Sequence, residues 1–489
     1  MTKDNHKNDQ SPEGQLEKQK IEEKLSVTHH SITLNQETIH YTVTTGTIIL
    51  KEEDVEEGEK QKAIIFYIAY TKDGELPDRP VTFSFNGGPG SSSVWLHLGL
   101  AGPKRVKMDS EGQPIGPPYQ LVDNEFSLFD QTDLVFIDPV STGYSRSVPK
   151  EKPDQFYNVK KDIESVGEFI RIWTTRNKRW LSPKFLMGES YGTTRAAGLA
   201  GYLHERHGMY LNGIMFISSI LNFITAQFDE GNDLPFILFL PTYTATAWYH
   251  KKLQKPLQDD LEKAVEESRR FALGDYTLAL MKGNTLSMKE RDEIAKKLVQ
   301  LTGLSEKYIK GTDLRVNIHR FCKELLRDER MTIGRLDSRY TGFDRDAVGE
   351  VHEIDPSYAA ILGPYTATMY DYLRRDLDYE TDLPYEILKS LSQTWKYENY
   401  QNNYVNTAKD LRKGFQLHPG LKIIVCNGYF DLATPLLATE YTFGHIPLPE
   451  KQGSHIKMAY YKAGHMMYLH EPSLKQLSVD LHKFIEEAR

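Results

Sequence analysis

The segment Gly188-Glu189-Ser190-Tyr191-Gly192 constrains the fold of this chain more than any other part of the sequence. It directly follows the apolar run 184–187, so a short buried strand is predicted to end in a turn between two glycines. The G-x-S-x-G pattern is typical of a nucleophile elbow, a tight strand-to-helix turn that exposes a serine hydroxyl at the edge of a sheet. An ordinary glycine-containing turn has the same letters, so the surrounding sequence has to decide between the two interpretations.

Predicted strands and helices alternate on both sides of the elbow. Strands are predicted at residues 31–34, 38–44, 63–70, 80–85, 134–137, 184–187 and 213–217, the first two as a hairpin, and helices at 158–173 and 191–205. Such alternation favours an α/β fold with a largely parallel sheet.

The pattern becomes mainly helical between residues 223 and 409. Ser287 followed by Glu290 predicts a capping box, and Asp313 predicts the start of a helix that reaches residue 326. Strands are predicted again at 421–426 and 457–461, before a terminal helix at 473–487. We therefore predict an α/β core interrupted by an inserted helical cap.

The predicted organisation has four segments. They are a disordered polar tail at 1–25, the first part of the core at 26–222, the helical cap at 223–409 and the second part of the core at 410–489.

A serine nucleophile needs a histidine base that is itself oriented by a carboxylate. The strands predicted at 421–426 and 457–461 lead directly to Asp431 and His465. In the α/β-hydrolase fold these partners follow the serine along the chain in the order Asp, then His. The order here is the same, so we predict that Ser190, Asp431 and His465 form a catalytic triad.

The nearest competing base is His470, five positions after His465. It precedes Glu471-Pro472, so a place at the N-terminus of the last helix explains it without a catalytic role. Among the acids, Asp371 and Asp410 lie in polar helical stretches and follow no predicted strand.

Acyl transfer also needs two backbone N–H donors that point at the developing oxyanion. The elbow can supply one from Tyr191. The glycine-rich segment 86–90, directly after the strand at 80–85, can supply the other from Gly88. A plain glycine-rich turn is the alternative interpretation of this segment.

Four segments together resemble the signatures of the serine carboxypeptidase family, which has the α/β-hydrolase fold. They are residues 86–93, 188–192, 427–435 and 464–466. Residues 138–145 resemble a further family motif imperfectly, and the resemblance covers roughly residues 60–225 and 415–488. It implies a serine-type carboxypeptidase that releases C-terminal residues from peptides, with Ser190, Asp431 and His465 as its triad.

The resemblance also implies how the terminal carboxylate of the peptide is bound. Asn86, the amide of Gly87 and the side chain of Glu189 correspond to the family's carboxylate-binding residues. A buried glutamate that faces a carboxylate must be protonated, which favours binding at acidic pH. A purely structural role for Glu189 is the alternative.

The chain departs from the family pattern at two positions. Ser91 stands where the family usually has cysteine, and Leu100-Ala101 precedes Gly102-Pro103 where members commonly have an acidic residue. Glu189 is therefore expected to lack its usual acidic partner. This loss favours a pH optimum closer to neutral.

Composition excludes several other classes of function. A net charge of −8 argues against a nucleic-acid-binding surface, and no apolar run is long enough to span a membrane. Two cysteines, the lack of an N-x-S/T sequon and a charged N-terminal stretch favour the cytoplasm. No phosphate-binding loop or metal-ligand spacing is present, so no cofactor and no metal are expected.

Three functions remain compatible with these motifs. The leading prediction is a carboxypeptidase acting on peptides, followed by an esterase or acyltransferase on the same scaffold, and then by a catalytically silent binding protein. The apolar residues at 234–248 could meet the side chain of the leaving residue or could simply pack in a core. The sequence leaves the oligomeric state and the side-chain preference open.

Overall fold

A computed structural model describes residues 21–55, 58–74, 77–391, 393–397 and 400–489 of the chain. Residues 1–20 of the predicted tail lie outside these ranges. The end of that tail contacts the sheet, because the backbone of Ile21 and the side-chain amide of Gln61 exchange two hydrogen bonds of 2.8 and 3.1 Å.

A ten-stranded sheet forms the centre of the molecule. The strands of the described chain are β1 (Leu25–Leu34), β2 (Glu37–Asp54), β3 (Gly58–Lys72), β4 (Val81–Phe85), β5 (Lys104–Val106), β6 (Leu121–Asp123), β7 (Asp133–Ile137), β8 (Arg146–Ser147), β9 (Lys184–Ser190), β10 (Gly213–Ser219), β11 (Met331–Ile333), β12 (Thr341–Phe343), β13 (Lys422–Gly428) and β14 (Ile456–Tyr461). The order in the main sheet is β1-β2-β3-β7-β4-β9-β10-β13-β14, with β8 paired to β3.

The two halves of this sheet differ in direction. β1, β2, β3 and β7 pair antiparallel, which confirms the predicted hairpin between β1 and β2. From β7 through β4, β9, β10 and β13 to β14 every pairing is parallel. The carboxyl ends of the parallel strands therefore meet at one edge, where the predicted functional segments follow them.

Helices cover both faces of the sheet. They are α1 (Val94–Leu96), α2 (Val159–Arg176), α3 (Tyr191–His207), α4 (Leu234–Tyr249), α5 (Leu261–Phe271), α6 (Thr277–Lys282), α7 (Met288–Thr302), α8 (Glu306–Gly311), α9 (Ile318–Glu324), α10 (Pro356–Arg375), α11 (Ala408–Leu417), α12 (Leu436–Gly444), α13 (Glu450–Gly453) and α14 (Glu471–Ala488). Successive residues of a strand point to opposite faces. Leu186 accordingly packs with α2, α3 and α11, whereas Met187 packs with α14 on the other face.

Helices α4 to α10 lie between β10 and β13 in the chain, within the segment predicted as the cap. Many buried side chains of α4 to α9 form a hydrophobic cluster that also includes α12, whereas those of α10 pack in the cluster on one face of the sheet. The predicted capping box at the start of α7 is confirmed, since Ser287 and Glu290 each bond the backbone of the other. None of the helices in the part of the chain that the structure describes is long and apolar enough to cross a membrane.

The helix predicted from Asp313 to residue 326 is wrong at its start. Asp313 and Leu314 have φ of 52° and 67°, a left-handed conformation that no right-handed helix can include. The helix begins at Ile318 instead, and the side chain of Asn317 caps it by accepting from the backbone of Arg320. Asparagine is as good an N-cap as aspartate, so the sequence offered two competing start signals.

Candidate active site

The elbow lies at the centre of the parallel half of the sheet, where β9 runs between β4 and β10. β9 ends at Ser190 and α3 begins at Tyr191, as the motif predicts. Ser190 has φ of 58° and ψ of −129°, a backbone conformation that residues other than glycine rarely adopt. Such strain persists when the surrounding structure requires it, and here it holds the half-buried serine at the tip of the turn.

Asp431 and His465 follow the ends of β13 and β14 and are both buried. The Nδ1 of His465 lies 2.8 Å from Oδ2 of Asp431. The other carboxylate oxygen of Asp431 accepts from the backbone amides of Ala433 and Thr434 at 2.8 and 2.9 Å. These bonds fix the carboxylate, which in turn orients the imidazole.

The pKa of His465 is raised above its ordinary value. Burial lowers this pKa, but the charge and the hydrogen bond of Asp431 outweigh burial, and Glu189 raises it further while Arg335 lowers it. Two backbone contacts fix the loop that carries the histidine: its amide donates to the carbonyl of Leu336 at 2.6 Å, and its carbonyl accepts from Ser218 Oγ at 2.6 Å.

The glycine-rich segment after β4 packs directly against the elbow. Gly87 lies so close that a β-carbon there would collide with the backbone nitrogen of Tyr191. Gly88 has φ of +103°, which favours glycine. The predicted oxyanion donors, Gly88 and Tyr191, therefore come from two segments in contact, while their role remains a prediction.

A buried ion pair stabilises the contact between the glycine-rich segment and the elbow. Arg195 on α3 bonds both carboxylate oxygens of Asp162 on α2, at 2.8 and 3.0 Å. The same guanidinium donates to the backbone carbonyl of Asn86 at 2.7 Å. Burial raises the pKa of Asp162, and the charge of Arg195 opposes that rise. The pair thus links the helix after the elbow to the glycine-rich segment.

Asp138, in the imperfectly matched motif, supports the other end of this segment. Its Oδ1 accepts from both the amide and the hydroxyl of Ser93 at 2.8 Å. Burial raises the pKa of Asp138 to about 6, despite these two bonds. The motif therefore has a structural role beside the site.

Glu189 is 3 % exposed, and its Oε2 accepts a hydrogen bond of 2.7 Å from the phenol of Tyr468. Burial raises the pKa of Glu189 to about 7; His465, Tyr468 and Asn86 each lower it, and Asp431 raises it. A phenol thus contacts the carboxyl group for which the sequence predicts no acidic partner. Leu100, at the usually acidic position, packs in the hydrophobic core.

A cavity of about 590 Å³ joins these groups. Six predicted site residues line it: Asn86, Gly87, Gly88, Glu189, Ser190 and His465. Asp431 and Tyr191 are not among the lining residues; Asp431 contacts Nδ1 of His465, and the backbone nitrogen of Tyr191 lies against Gly87.

The cavity also includes residues that the motifs did not predict. They come from α1 and from the segment predicted as the cap, and include Trp95, His319, Arg335, His352, Asp355, Tyr358 and Lys389. No local pattern marks them, because they belong to separate turns and helix ends. Tyr468, which bonds Glu189, lies three residues after His465, and this position in the sequence was a usable signal.

Two open alternatives are resolved by position. The residues at 234–248 do not line this cavity; they belong to α4, which packs in the hydrophobic cluster of α4 to α9 and α12. His470 immediately precedes α14, and its Nδ1 lies 2.8 Å from Ser473 Oγ. It occupies the helix end predicted for it and does not line the cavity.

Curated relatives match this chain over limited regions. Serine carboxypeptidase-like 15 of Arabidopsis thaliana is 28% identical over 138 residues, 27% of this chain and 30% of that protein. Pheromone-processing carboxypeptidase KEX1 of Saccharomyces cerevisiae is 35% identical over 156 residues, 30% of this chain and 20% of that protein. The matched regions thus span less than a third of either relative.

The fold is similar over a much longer range. The crystal structure of a prohormone-processing carboxypeptidase, KEX1(delta)p from Saccharomyces cerevisiae, matches 91% of both chains with a TM-score of 0.54 at 16% identity. The predicted fold class is confirmed. A sequence model of the family described as Serine carboxypeptidase matches residues 54–479. Since this range covers most of the chain, the protein belongs to the serine carboxypeptidase family.

Proposed function

We propose that this protein is a serine-type carboxypeptidase that releases C-terminal residues from peptides through an acyl-enzyme on Ser190. The observation that carries the proposal is Glu189, a buried carboxyl group next to the nucleophile whose pKa is raised to about 7. A protonated carboxyl can donate a hydrogen bond to the free carboxylate of a peptide, whereas ester cleavage needs no such group. Membership of the family supports the same activity.

In the first step Ser190 Oγ attacks the carbonyl carbon of the last peptide bond, and His465 takes its proton through Nε2. Asp431, bonded to Nδ1 at 2.8 Å, stabilises the imidazolium that forms. The N–H groups of Gly88 and Tyr191 stabilise the oxyanion. The C–N bond then breaks, His465 returns the proton to the leaving nitrogen, and the terminal residue departs.

In the second step water attacks the acyl-enzyme. His465 removes one proton from this water, and the ester bond to Ser190 Oγ breaks as the serine is protonated again. Terminal-residue recognition is assigned to Asn86, the amide of Gly87 and Glu189. The Asn86 side chain accepts from the amide of Leu96 at 3.1 Å, which supports a fixed orientation at the cavity wall.

Digestion of a mixed peptide pool, followed by mass spectrometry, tests the reaction. We expect the wild type to shorten peptides from the C-terminus and Ser190→Ala to leave them intact. A matched trio then tests recognition of the carboxylate: one blocked dipeptide as the free acid, the amide and the methyl ester. We expect kcat/KM for the free acid to exceed that for the amide by at least about tenfold, the value of one charge-assisted hydrogen bond.

Two results would contradict the proposal. Equal turnover of the free acid, amide and ester indicates an esterase or acyltransferase on this scaffold. A serine-directed phosphonate that fails to label Ser190 indicates a binding protein. A location in the cytoplasm stays a prediction from the sequence.

A further inference from the structure

We propose that four basic residues that line the cavity, His319, Arg335, His352 and Lys389, here called the basic wall, bind an acidic side chain of the substrate beside the scissile bond. This inference rests on the proposed function and makes peptides with Glu or Asp at the last or penultimate position the preferred substrates.

Arg335 is the central residue of the basic wall. It is half-buried and lines the cavity, yet none of the residues described by the structure accepts a hydrogen bond from its guanidinium or forms an ion pair with it. Arginines with limited exposure are usually paired, because desolvating an uncompensated charge is costly. The planar guanidinium of Arg335 can donate two parallel hydrogen bonds to the two oxygens of a carboxylate, so an acidic side chain of the substrate would pair with it.

The positive charge of Arg335 affects the pKa of three histidines near the cavity. It lowers the pKa of His465, and it also lowers the pKa of His319 and His352. The amide of His465 bonds Leu336, the residue after Arg335, at 2.6 Å. The arginine is therefore close enough to the predicted base to meet a substrate group beside the scissile bond.

The two imidazoles add hydrogen-bonding capacity to the wall. Their ring centroids are 6.5 Å apart. Desolvation lowers the pKa of both, so at neutral pH they are uncharged and can each offer one N–H. Nδ1 of His352 is buried and has no hydrogen-bond partner within the described residues. A bound carboxylate could accept a hydrogen bond from an imidazole N–H that faces the cavity.

The nearby acidic groups are already engaged. Asp355 accepts from the backbone amide of Arg335 at 3.2 Å and from the amide and hydroxyl of Ser357 at 3.0 and 2.5 Å. Asp344, whose charge reaches His352, forms an ion pair with Lys323 at 2.5 Å. Hydrogen bonds from these neutral donors do not cancel the charge of Asp355, so Arg335 and Lys389 together leave the charged groups of this part of the cavity with one net positive charge.

The basic wall lies apart from Glu189. Glu189 lies at the end of β9, whereas Arg335 lies between β11 and β12, and Asp355 beside it directly precedes α10. A peptide whose terminal carboxylate contacts Glu189 could therefore extend a side chain toward the wall. The two sites differ in chemistry, since one uses a neutral carboxyl donor and the other a cation.

Isosteric peptides separate charge from size. Four blocked tripeptides carry Glu or Gln at the last or penultimate position, and kcat/KM is measured for the wild type, Arg335→Gln and Arg335→Lys. We expect the wild type to prefer Glu over Gln at one of these positions by about tenfold, the effect of a charge-assisted hydrogen bond. Arg335→Gln should abolish this ratio, Arg335→Lys should retain part of it, and added NaCl should reduce it.

Arg375→Gln is the matched control, because Arg375 is 79% exposed and pairs with Asp371 far along α10. It should leave the Glu-to-Gln ratio unchanged. Equal kcat/KM for Glu and Gln peptides in the wild type overturns the inference, whatever the variants do. So does a preference for Glu that persists in Arg335→Gln.

Binding to Ser190→Ala separates this inference from the proposed function. Calorimetry with the same four peptides gives Kd without turnover. One outcome would support binding at the basic wall and contradict the peptidase activity. In that outcome the wild type cleaves none of the peptides, Ser190→Ala binds Glu peptides about tenfold more tightly than Gln peptides, and Arg335→Gln in the Ser190→Ala background removes the difference. Equal binding of Glu and Gln peptides together with no cleavage overturns both.

Discussion

The phenol of Tyr468 donates a 2.7 Å hydrogen bond to Oε2 of Glu189, and both side chains are buried. This bond stabilises the ionised carboxylate and so opposes burial, which raises the pKa of Glu189. The resulting pKa of about 7 places the proton of Glu189 near physiological pH. Two predictions depend on the protonation of Glu189.

The first concerns the pH dependence of peptide cleavage. Glu189 can donate to a terminal carboxylate only while protonated, so kcat/KM for free-acid peptides should fall as pH rises through about 7. Glu189→Gln keeps a neutral donor at every pH and should retain its kcat/KM above pH 7. Initial rates from pH 5 to 9 measure this. The amide of the same peptide is the control, because it has no carboxylate for Glu189 to bind. If kcat/KM of Glu189→Gln falls above pH 7 as it does in the wild type, Glu189 does not have this role.

The second concerns stability. The pKa of Glu189 is about 7 in the folded state and 4.5 ordinarily, so between pH 4.5 and 7 the folded state binds more protons than the unfolded state. Stability from this residue is therefore present below pH 4.5 and is lost as pH rises through 7. Relative to Glu189→Gln, the wild type should lose about 3 kcal/mol of unfolding free energy between pH 4.5 and 8. Denaturant unfolding at both pH values tests this, and a difference that does not change with pH contradicts it.

A third prediction concerns the orientation of His465. Asp431→Asn removes the carboxylate bonded to Nδ1, so the pKa of His465 should fall and the tautomer should no longer be fixed. We expect kcat to drop by about four orders of magnitude, as in other triads. Initial rates at saturating peptide concentration measure kcat. Asp371→Asn, an exposed change on α10, should leave it unchanged, and a loss below tenfold in Asp431→Asn would exclude the triad.

A fourth prediction concerns the close approach of the glycine-rich segment. In Gly87→Ala the new β-carbon would meet the amide of Gly192 at 2.6 Å and the carbonyl of Glu189 at 2.7 Å, so the backbone must shift. Moving one oxyanion donor costs about 10²- to 10³-fold in kcat. Gly444→Ala is the control, because its β-carbon meets no atom within 4 Å. Normal kcat in Gly87→Ala would remove this segment from the oxyanion site.

A fifth prediction concerns the buried pair of Arg195 and Asp162. Arg195→Met leaves Asp162 buried without a counter-charge and should cost about 3–5 kcal/mol of unfolding free energy. Asp162→Asn combined with Arg195→Met should cost less, because no uncompensated charge remains. Arg171→Met breaks a partly exposed pair with Glu168, both on α2, and should cost less than about 1 kcal/mol. Equal losses in Arg195→Met and Arg171→Met would contradict a structural role for the buried pair.

The elbow, the strands around it and the order of Ser190, Asp431 and His465 were predictable because each depends on local sequence. Apolar runs of strand length mark the parallel strands, and the functional segments directly follow the strand ends. The helix predicted from Asp313 failed, since two adjacent residues there adopt a left-handed backbone that their side chains do not signal.

The sequence by itself determined the fold class, the elbow and the residues available for acyl transfer, because strand ends bring distant segments of a parallel sheet to one edge. Only the tertiary structure decided which groups surround them. Tyr468 contacts Glu189, and Arg335 lines the cavity with no partner for its guanidinium among the described residues. Both result from the packing of loops and helix ends that no local sequence pattern marks. Burial and charge then set the pKa of Glu189, and both depend on neighbours far away in the chain.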